Sequence, residues 1–287
     1  MKTRELLLAL LVPLTWALGF TVAKAALDEF PPLLLMSMRF FIAGLILVWF
    51  VPIPRHCLKD LFWISLVGST VQYGLTFTGL SMIDASLGGI IVQLEVPFSV
   101  LLAVIIFRER PGLLRIIGMT VSFIGIALIA GKPSLSDQLE GILLTASGAL
   151  VWAIGQIMYK RISSQIDGLT GIAWIGVIAA PQMLIGSMIF ETGQVDALMN
   201  ASWVGWASVV YLGLIMTVVG YGIWFTVLAR NPVSHVMPVL LVLPIFTVLF
   251  SMLLLGERPS LEVLLGGVTI LAGVSLIVFS KSNTRPT

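Results

Sequence analysis

The chain has 287 residues, of which 58% are hydrophobic and only 10% are charged, and its mean hydropathy is +1.07. A soluble domain carries roughly 25% charged residues. The composition therefore excludes a soluble globular protein and predicts an all-α membrane protein that crosses the bilayer repeatedly. The net charge of +2 is small, and we expect no nucleic-acid partner. The single cysteine, Cys57, excludes an intramolecular disulfide.

Apolar runs of about 20 residues, the length that a helix needs to cross a bilayer, occur ten times along the chain. They cover approximately 5–25, 33–52, 61–82, 87–107, 113–131, 139–159, 169–190, 204–228, 236–255 and 262–280. If the N-terminus is cytoplasmic, twelve Lys and Arg residues fall on the inner side and three on the outer side, and Arg39 lies within a span. The positive-inside rule therefore predicts that both termini are cytoplasmic.

The chain repeats itself at two related offsets. The motif Trp-Ala-x-Gly at 16–19 returns at 152–155, which is 136 residues later. A block at 71–80 returns at 219–228, and Glu-Arg-Pro at 109–111 returns at 257–259, both 148 residues later. A duplication with a 12-residue insertion explains these offsets and predicts two repeats, 1–135 and 136–287. Because each repeat has five spans, the second is inverted relative to the first, which is typical of transporters with alternating access.

Residues in both halves resemble those of the EamA domain of the drug/metabolite transporter superfamily. In the first half they are Trp16, Phe20, Lys24, Pro31, Pro32, Arg39, Phe40, Glu95, Pro97, Arg108, Glu109, Arg110, Gly118 and Gly125. In the second half they are Trp152, Tyr221, Gly222, Ile223, Trp224, Pro244, Gly256, Glu257 and Arg258. The chain is most similar to bacterial amino-acid and metabolite exporters, including the cysteine/O-acetylserine and aromatic amino-acid types. The resemblance implies ten helices, a central cavity lined mostly by the third, fourth, eighth and ninth, and efflux across the bacterial cytoplasmic membrane.

Charged residues at membrane depth are costly and usually have a task or a partner. Glu95 lies near the middle of the fourth span, where it would bind a substrate amine, couple protons or pair with Arg39. We expect a structural or gating role for Arg39, with contact to a substrate carboxylate as the alternative. Leu243 occupies the position of the second repeat that matches Glu95, so the two halves differ in chemistry there.

Polar residues recur at helical spacing on the third span, at Ser65, Ser69, Gln72, Thr76 and Gly79. Such a stripe either lines a cavity or packs helices closely through small residues. Gln72 is large for close packing, so we favour the cavity and predict that Gln72 and Thr76 bind substrate.

Prolines are expected to disturb the fourth and ninth spans. Pro97 leaves the carbonyl of Gln93 without its intrahelical donor, which predicts an ammonium-binding position at Gln93 or a kink satisfied by a neighbouring helix. Pro238 and Pro244 are expected to bend the ninth span and to permit gating.

Four aromatic residues, Tyr73, Trp152, Tyr221 and Trp224, are predicted to enclose the substrate side chain. The amide of Gln156, one turn beyond Trp152, is predicted to contact the substrate as well. The alternative for each aromatic residue is packing or anchoring at the membrane interface.

Several motifs of other function classes do not occur in the sequence. It has neither a phosphate-binding Gly-x4-Gly-Lys-Ser/Thr loop nor a His-Glu-x2-His or Gly-x-Ser-x-Gly motif. We therefore expect no enzyme activity, no cofactor and no metal. The chain is predicted to be a secondary transporter that exports amino acids or related small metabolites, working as a monomer, with oligomers left open. The alternatives are efflux of cationic drugs and, more remotely, a membrane-embedded enzyme, a channel or a scaffold.

Overall fold

A computed structural model describes residues 3–108, 111–231 and 236–280, and every regular element within these ranges is helical. The α-helices are α1 (Thr3–Ala26), α2 (Pro32–Leu47), α3 (Leu58–Ser65), α4 (Gln72–Met82), α5 (Ala85–Ile91), α6 (Glu95–Phe107), α7 (Leu113–Ala130), α8 (Leu139–Lys160), α9 (Gly168–Phe190), α10 (Gln194–Asn200), α11 (Trp203–Val210), α12 (Gly220–Arg230), α13 (Leu243–Phe250) and α14 (Leu261–Phe279). The predicted class, an all-α membrane protein, is confirmed.

Nine helical stretches of the described ranges are long and apolar enough to cross a membrane. They match nine of the ten predicted spans. The remaining run, 61–82, is helical from Leu58 to Met82 but is not among the nine. The polar stripe of this run lowers its hydropathy, so apolarity alone does not establish a count of ten.

Irregular helical turns occur at matching places in the two repeats. A π-helical segment at Leu66–Val71 joins α3 to α4, and another at Tyr211–Val219 joins α11 to α12. The offset of 148 residues places the first segment on positions 214–219, the last six residues of the second segment. π-Helical turns are rare and are frequent at functional sites, so these two segments mark the third and eighth spans for closer inspection.

The fourth and ninth spans are interrupted as well. A 3₁₀ turn at Val92–Leu94 separates α5 from α6, and another at Met237–Val242 precedes α13. Pro97 lies three residues after the first turn, and Pro238 lies within the second. Since proline removes a backbone donor and crowds the preceding turn, these interruptions have a direct cause in the sequence.

Helix pairing follows the repeat. α2 packs along α9 and α7 packs along α14, so in each pair a helix contacts its own counterpart from the other half. α4 packs on α8, and the equivalent pair in the exchanged halves, α12 and α1, is also in contact. Glycines permit the closest approaches: a Cβ on Gly44 would lie 2.6 Å from the backbone nitrogen of Val177. These helix pairs therefore recur when the two halves are exchanged.

Candidate functional site

The centre of the candidate site is Arg39, which is only 2% exposed although it carries a full charge. Its Nε donates a hydrogen bond to Thr217 Oγ1 at 2.9 Å, and its guanidinium carbon lies 5.0 Å from the centre of the Tyr73 ring and 5.4 Å from that of Phe40. Within the described ranges, Arg39 forms no ion pair with a carboxylate. The protein thus keeps a buried cation whose neighbours are a hydroxyl and two aromatic faces.

The π-helical segment Tyr211–Val219 puts Thr217 in place to hold Arg39. The Thr217 hydroxyl donates to the carbonyl oxygen of Leu212 at 2.8 Å, five residues earlier, and its oxygen accepts the bond from Arg39 Nε. Thr217 was not among the predicted site residues. Its counterpart at the 148-residue offset is Ser69, a member of the polar stripe, and that correspondence is the signal that identifies it.

Aromatic side chains from three spans meet next to Arg39. The Trp16 ring centre lies 5.0 Å from that of Tyr221 and 5.9 Å from that of Trp224, and Trp16 Nε1 donates to the carbonyl oxygen of Met216 at 3.2 Å. Tyr73 stacks on Phe77 at 5.5 Å. Tyr221 also interacts electrostatically with the Tyr73 side chain.

Glu95 lies in the same region but is not bonded to Arg39. The charges of both Arg39 and Glu95 act on the Tyr221 side chain, yet no ion pair joins these two residues in the described ranges. Glu95 is the first residue of α6, directly after the 3₁₀ turn that contains Gln93, and both side chains are half-buried. Arg39 and Glu95 therefore approach one tyrosine from different helices and form no ion pair in the described ranges.

Gln72 and Thr76 lie at a helix contact. They are 4% and 2% exposed, and Gln72 Nε2 donates to Thr76 Oγ1 at 2.9 Å. A Cβ on Gly148 of α8 would lie 2.1 Å from Thr76 Oγ1, so this face of α4 is pressed against α8. Gln72 Oε1 is buried and has no hydrogen-bond donor among the described residues. In this conformation the stripe packs helices, and contact with a solute would require α4 to separate from α8.

The other predicted site residues are distributed along the same bundle. On α8, Trp152 is half-buried and Gln156 is exposed. On α12, Trp224 is buried at 7% exposure and belongs to a cluster with Val12 of α1. Pro97 and Pro244 are buried, and Pro238 is half-buried.

One end of the bundle, the outer end in the predicted topology, is closed by polar contacts. Lys24 Nζ donates to the carbonyl oxygens of Leu80 and Ser81 at 3.1 and 3.0 Å, at the end of α4. The Glu257 carboxylate accepts the first two N–H groups of α5, from Ala85 at 2.6 Å and Ser86 at 3.0 Å. A carboxylate at a helix N-terminus is stabilised by the unpaired amides and the helix dipole. We call this group of contacts the outer closure.

Two further features belong to the outer closure. A Cβ on Gly89 of α5 would lie 2.7 Å from Thr247 Cγ2 of α13, so the fourth and ninth spans touch just below the polar contacts. Burial raises the pKa of Asp84 above its ordinary value, the neighbouring Glu257 raises it further, and Lys24 lowers it. The outer closure therefore contains two carboxylates that repel each other, Asp84 and Glu257, and one lysine, Lys24.

Comparison with known proteins identifies the family. The sequence profile of the EamA-like transporter family matches residues 3–131 and 139–279. The chain belongs to the EamA-like transporter family. Its resemblance to that family is thereby confirmed, and this EamA-like protein is a transporter and not an enzyme.

Relatives and a solved structure extend over nearly the whole of this EamA-like chain. It is 30% identical to the "Probable amino-acid metabolite efflux pump" of Escherichia coli strain K12, over 97% of this chain and 96% of that protein. It is 28% identical to the "Uncharacterized transporter YvbV" of Bacillus subtilis strain 168, over 96% of this chain and 92% of that protein. One crystal structure shares the fold with a TM-score of 0.63 at 18% identity, covering 96% of each chain.

Proposed function

We propose that this transporter exports amino acids or related small metabolites from the cytoplasm by alternating access. The observation that carries the proposal is Arg39, which is 2% exposed and forms no ion pair in the described ranges, together with the Glu95 carboxyl group, which interacts electrostatically with the neighbouring Tyr221. An α-amino acid carries one cation and one anion, so it complements such a site. The Escherichia coli relative is named a probable amino-acid metabolite efflux pump, which supports the same class of substrate.

The arrangement of the halves supports the mechanism. Residues 1–135 and 136–287 act as two inverted repeats, and each would adopt in turn the shape that the other holds, which gives two states of similar energy. The outer closure and the touching pair Gly89 and Thr247 seal one side of the site. The positive-inside rule makes the sealed side extracellular, with both termini in the cytoplasm of a bacterium and the protein working as a monomer.

The residues take different parts in this cycle. Glu95, assisted by Gln93, contacts the substrate amine, and Tyr73, Tyr221 and Trp224 enclose its side chain. Trp152 and Gln156 complete the wall on α8, and Gln72 and Thr76 join it only when α4 moves away from α8. The interruptions near Pro97, Pro238 and Pro244 let the fourth and ninth spans bend during the exchange.

Efflux of cationic compounds is the second candidate function, because Glu95 shares its region with several aromatic rings. A ring face within about 6 Å attracts a cation, and one carboxylate would suffice for a quaternary amine. This alternative gives Arg39 no ligand, since a cation is repelled by the guanidinium. The unpaired Arg39 therefore favours the zwitterion.

Flux from proteoliposomes tests the proposal against its rival. Purified protein is reconstituted, and the release of amino acids, nucleobases and cationic dyes is measured in the presence of unlabelled competitors. We expect saturable release of amino acids that other zwitterions inhibit. Release of dyes that only quaternary amines inhibit would support the rival, and a substrate recovered in altered chemical form would indicate an enzyme.

A further inference from the structure

Arg39 is the buried charge whose partner the protein does not supply. A charge within a membrane span almost always pairs with another charge or with backbone carbonyls. Arg39 is 2% exposed, and within the described ranges its polar partners are the Thr217 hydroxyl and, at 3.9 Å, the sulfur of Met36. Neither partner carries a negative charge. Within the described part of the chain, Arg39 therefore has no anionic partner.

The guanidinium is held in one orientation. Thr217 accepts the bond from Nε at 2.9 Å, while the rings of Tyr73 and Phe40 lie 5.0 and 5.4 Å from the guanidinium carbon. Thr217 is itself fixed by its bond to the Leu212 carbonyl. A planar fork that is held by packing loses little conformational entropy when it binds a carboxylate. These contacts therefore prepare the arginine for a ligand.

One end of the Arg39 guanidinium group remains available for a ligand. Arg39 Nη2 makes no hydrogen bond to the described residues. A fully buried nitrogen without a partner would be an unsatisfied polar atom, and Nη2 is not one of these. The small exposed fraction of Arg39 therefore includes this nitrogen. The same reasoning applies to the Glu95 carboxylate, which is half-buried and makes no side-chain hydrogen bond in this part of the structure.

We propose that Arg39 binds the carboxylate of the transported substrate, while Glu95 binds its ammonium group. This proposal rests on the proposed export function and narrows it to substrates that carry both groups on one small framework. Thr217 is a positioning residue that orients the guanidinium. Compounds that lack the carboxylate, such as amino-acid esters and amides, would lose the Arg39 contact.

The test compares substrates that differ only at the carboxylate. Half-saturation concentrations for an amino acid and for its methyl ester are measured in proteoliposomes, for the wild type and for Arg39→Gln. Hydrogen bonds to charged groups are strong enough that losing one or two weakens binding roughly 10- to 100-fold. We expect Arg39→Gln to raise the half-saturation concentration by that factor for the amino acid and to leave the ester nearly unchanged.

Two further variants control for folding. Arg230→Gln makes the same substitution at an arginine that pairs with Glu5 at 3.6 Å near the helix ends. It should leave the half-saturation concentrations of both substrates unchanged. Arg39→Lys keeps the charge but loses the planar guanidinium group. It should therefore raise the half-saturation concentration several-fold for the amino acid and leave that for the ester unchanged. If Arg39→Gln or Arg39→Lys changes the half-saturation concentrations of both substrates equally, or of neither, the proposed carboxylate contact is wrong. If the wild type moves no amino acid at all, the export function itself fails.

Discussion

The outer closure gives a prediction whose size follows from its hydrogen bonds. Glu257 accepts N–H groups from Ala85 and Ser86 at 2.6 and 3.0 Å, at the start of α5. Hydrogen bonds to a charged group contribute about 1.5–3 kcal/mol each. Glu257→Gln keeps one acceptor and loses the charge together with one bond, so the closed state should lose about 1.5–3 kcal/mol relative to the open one. Because 1.4 kcal/mol is tenfold, the open population should rise roughly 10- to 150-fold.

A cysteine at Thr247 reports this opening. Thr247 is fully buried against Gly89, and the natural cysteine, Cys57, is removed by Cys57→Ser. In right-side-out vesicles, a membrane-impermeant thiol reagent should label Thr247→Cys slowly, and Glu257→Gln should accelerate labelling at least tenfold. Glu140→Gln, at an exposed carboxylate near the start of α8, is the matched control and should change nothing. An unchanged labelling rate in Glu257→Gln would refute the role of this closure.

Three other predictions address pH, packing and coupling. Burial and Glu257 raise the pKa of Asp84 in the closed state, so this state is most stable below the ordinary Asp pKa and loses that stability as pH rises through the raised pKa. Labelling of Thr247→Cys should therefore become faster as pH rises, and Asp84→Asn should abolish this pH dependence. Gly148→Val should destabilise the folded protein by about 1–3 kcal/mol, because its Cβ meets Thr76 Oγ1; thermal unfolding in detergent measures this, and equal melting temperatures would contradict the contact. Glu95→Gln should abolish flux driven by a pH gradient and, because it also removes the proposed ammonium contact, should raise the half-saturation concentration for equilibrium exchange; gradient-driven flux in the mutant would exclude coupling through Glu95.

The sequence predicted the helical class and the interruption points because their causes are local. Apolar runs of bilayer length identify nine of the spans, and Pro97 and Pro238 lie at or beside the 3₁₀ turns. Local signals failed for the third span. Its stripe contains Gln72 and Thr76, and periodicity shows that they share a face but not whether that face meets a cavity or another helix. The glycines of α8 resolve the question in favour of packing in this conformation.

The site around Arg39 depends on features that a single sequence does not display. A π-helical segment shifts the register of every later residue, so regular 3.6-residue spacing does not place Thr217 beside Arg39. The contact spans 178 positions of the chain. The sequence pointed to Arg39 as a charge within a span but not to Thr217, and the packing of α2 against the Tyr211–Val219 segment brings them together.

The most direct measurement of the central proposal is counterflow in proteoliposomes. Vesicles are loaded with an unlabelled amino acid and diluted into a trace of the labelled form, which requires no ion gradient and no ATP. An alternating-access carrier exchanges one molecule for another, so the labelled amino acid should accumulate transiently above its equilibrium level and then decline. A monotonic rise to equilibrium would indicate a channel, and no uptake above that of protein-free vesicles would contradict amino-acid transport.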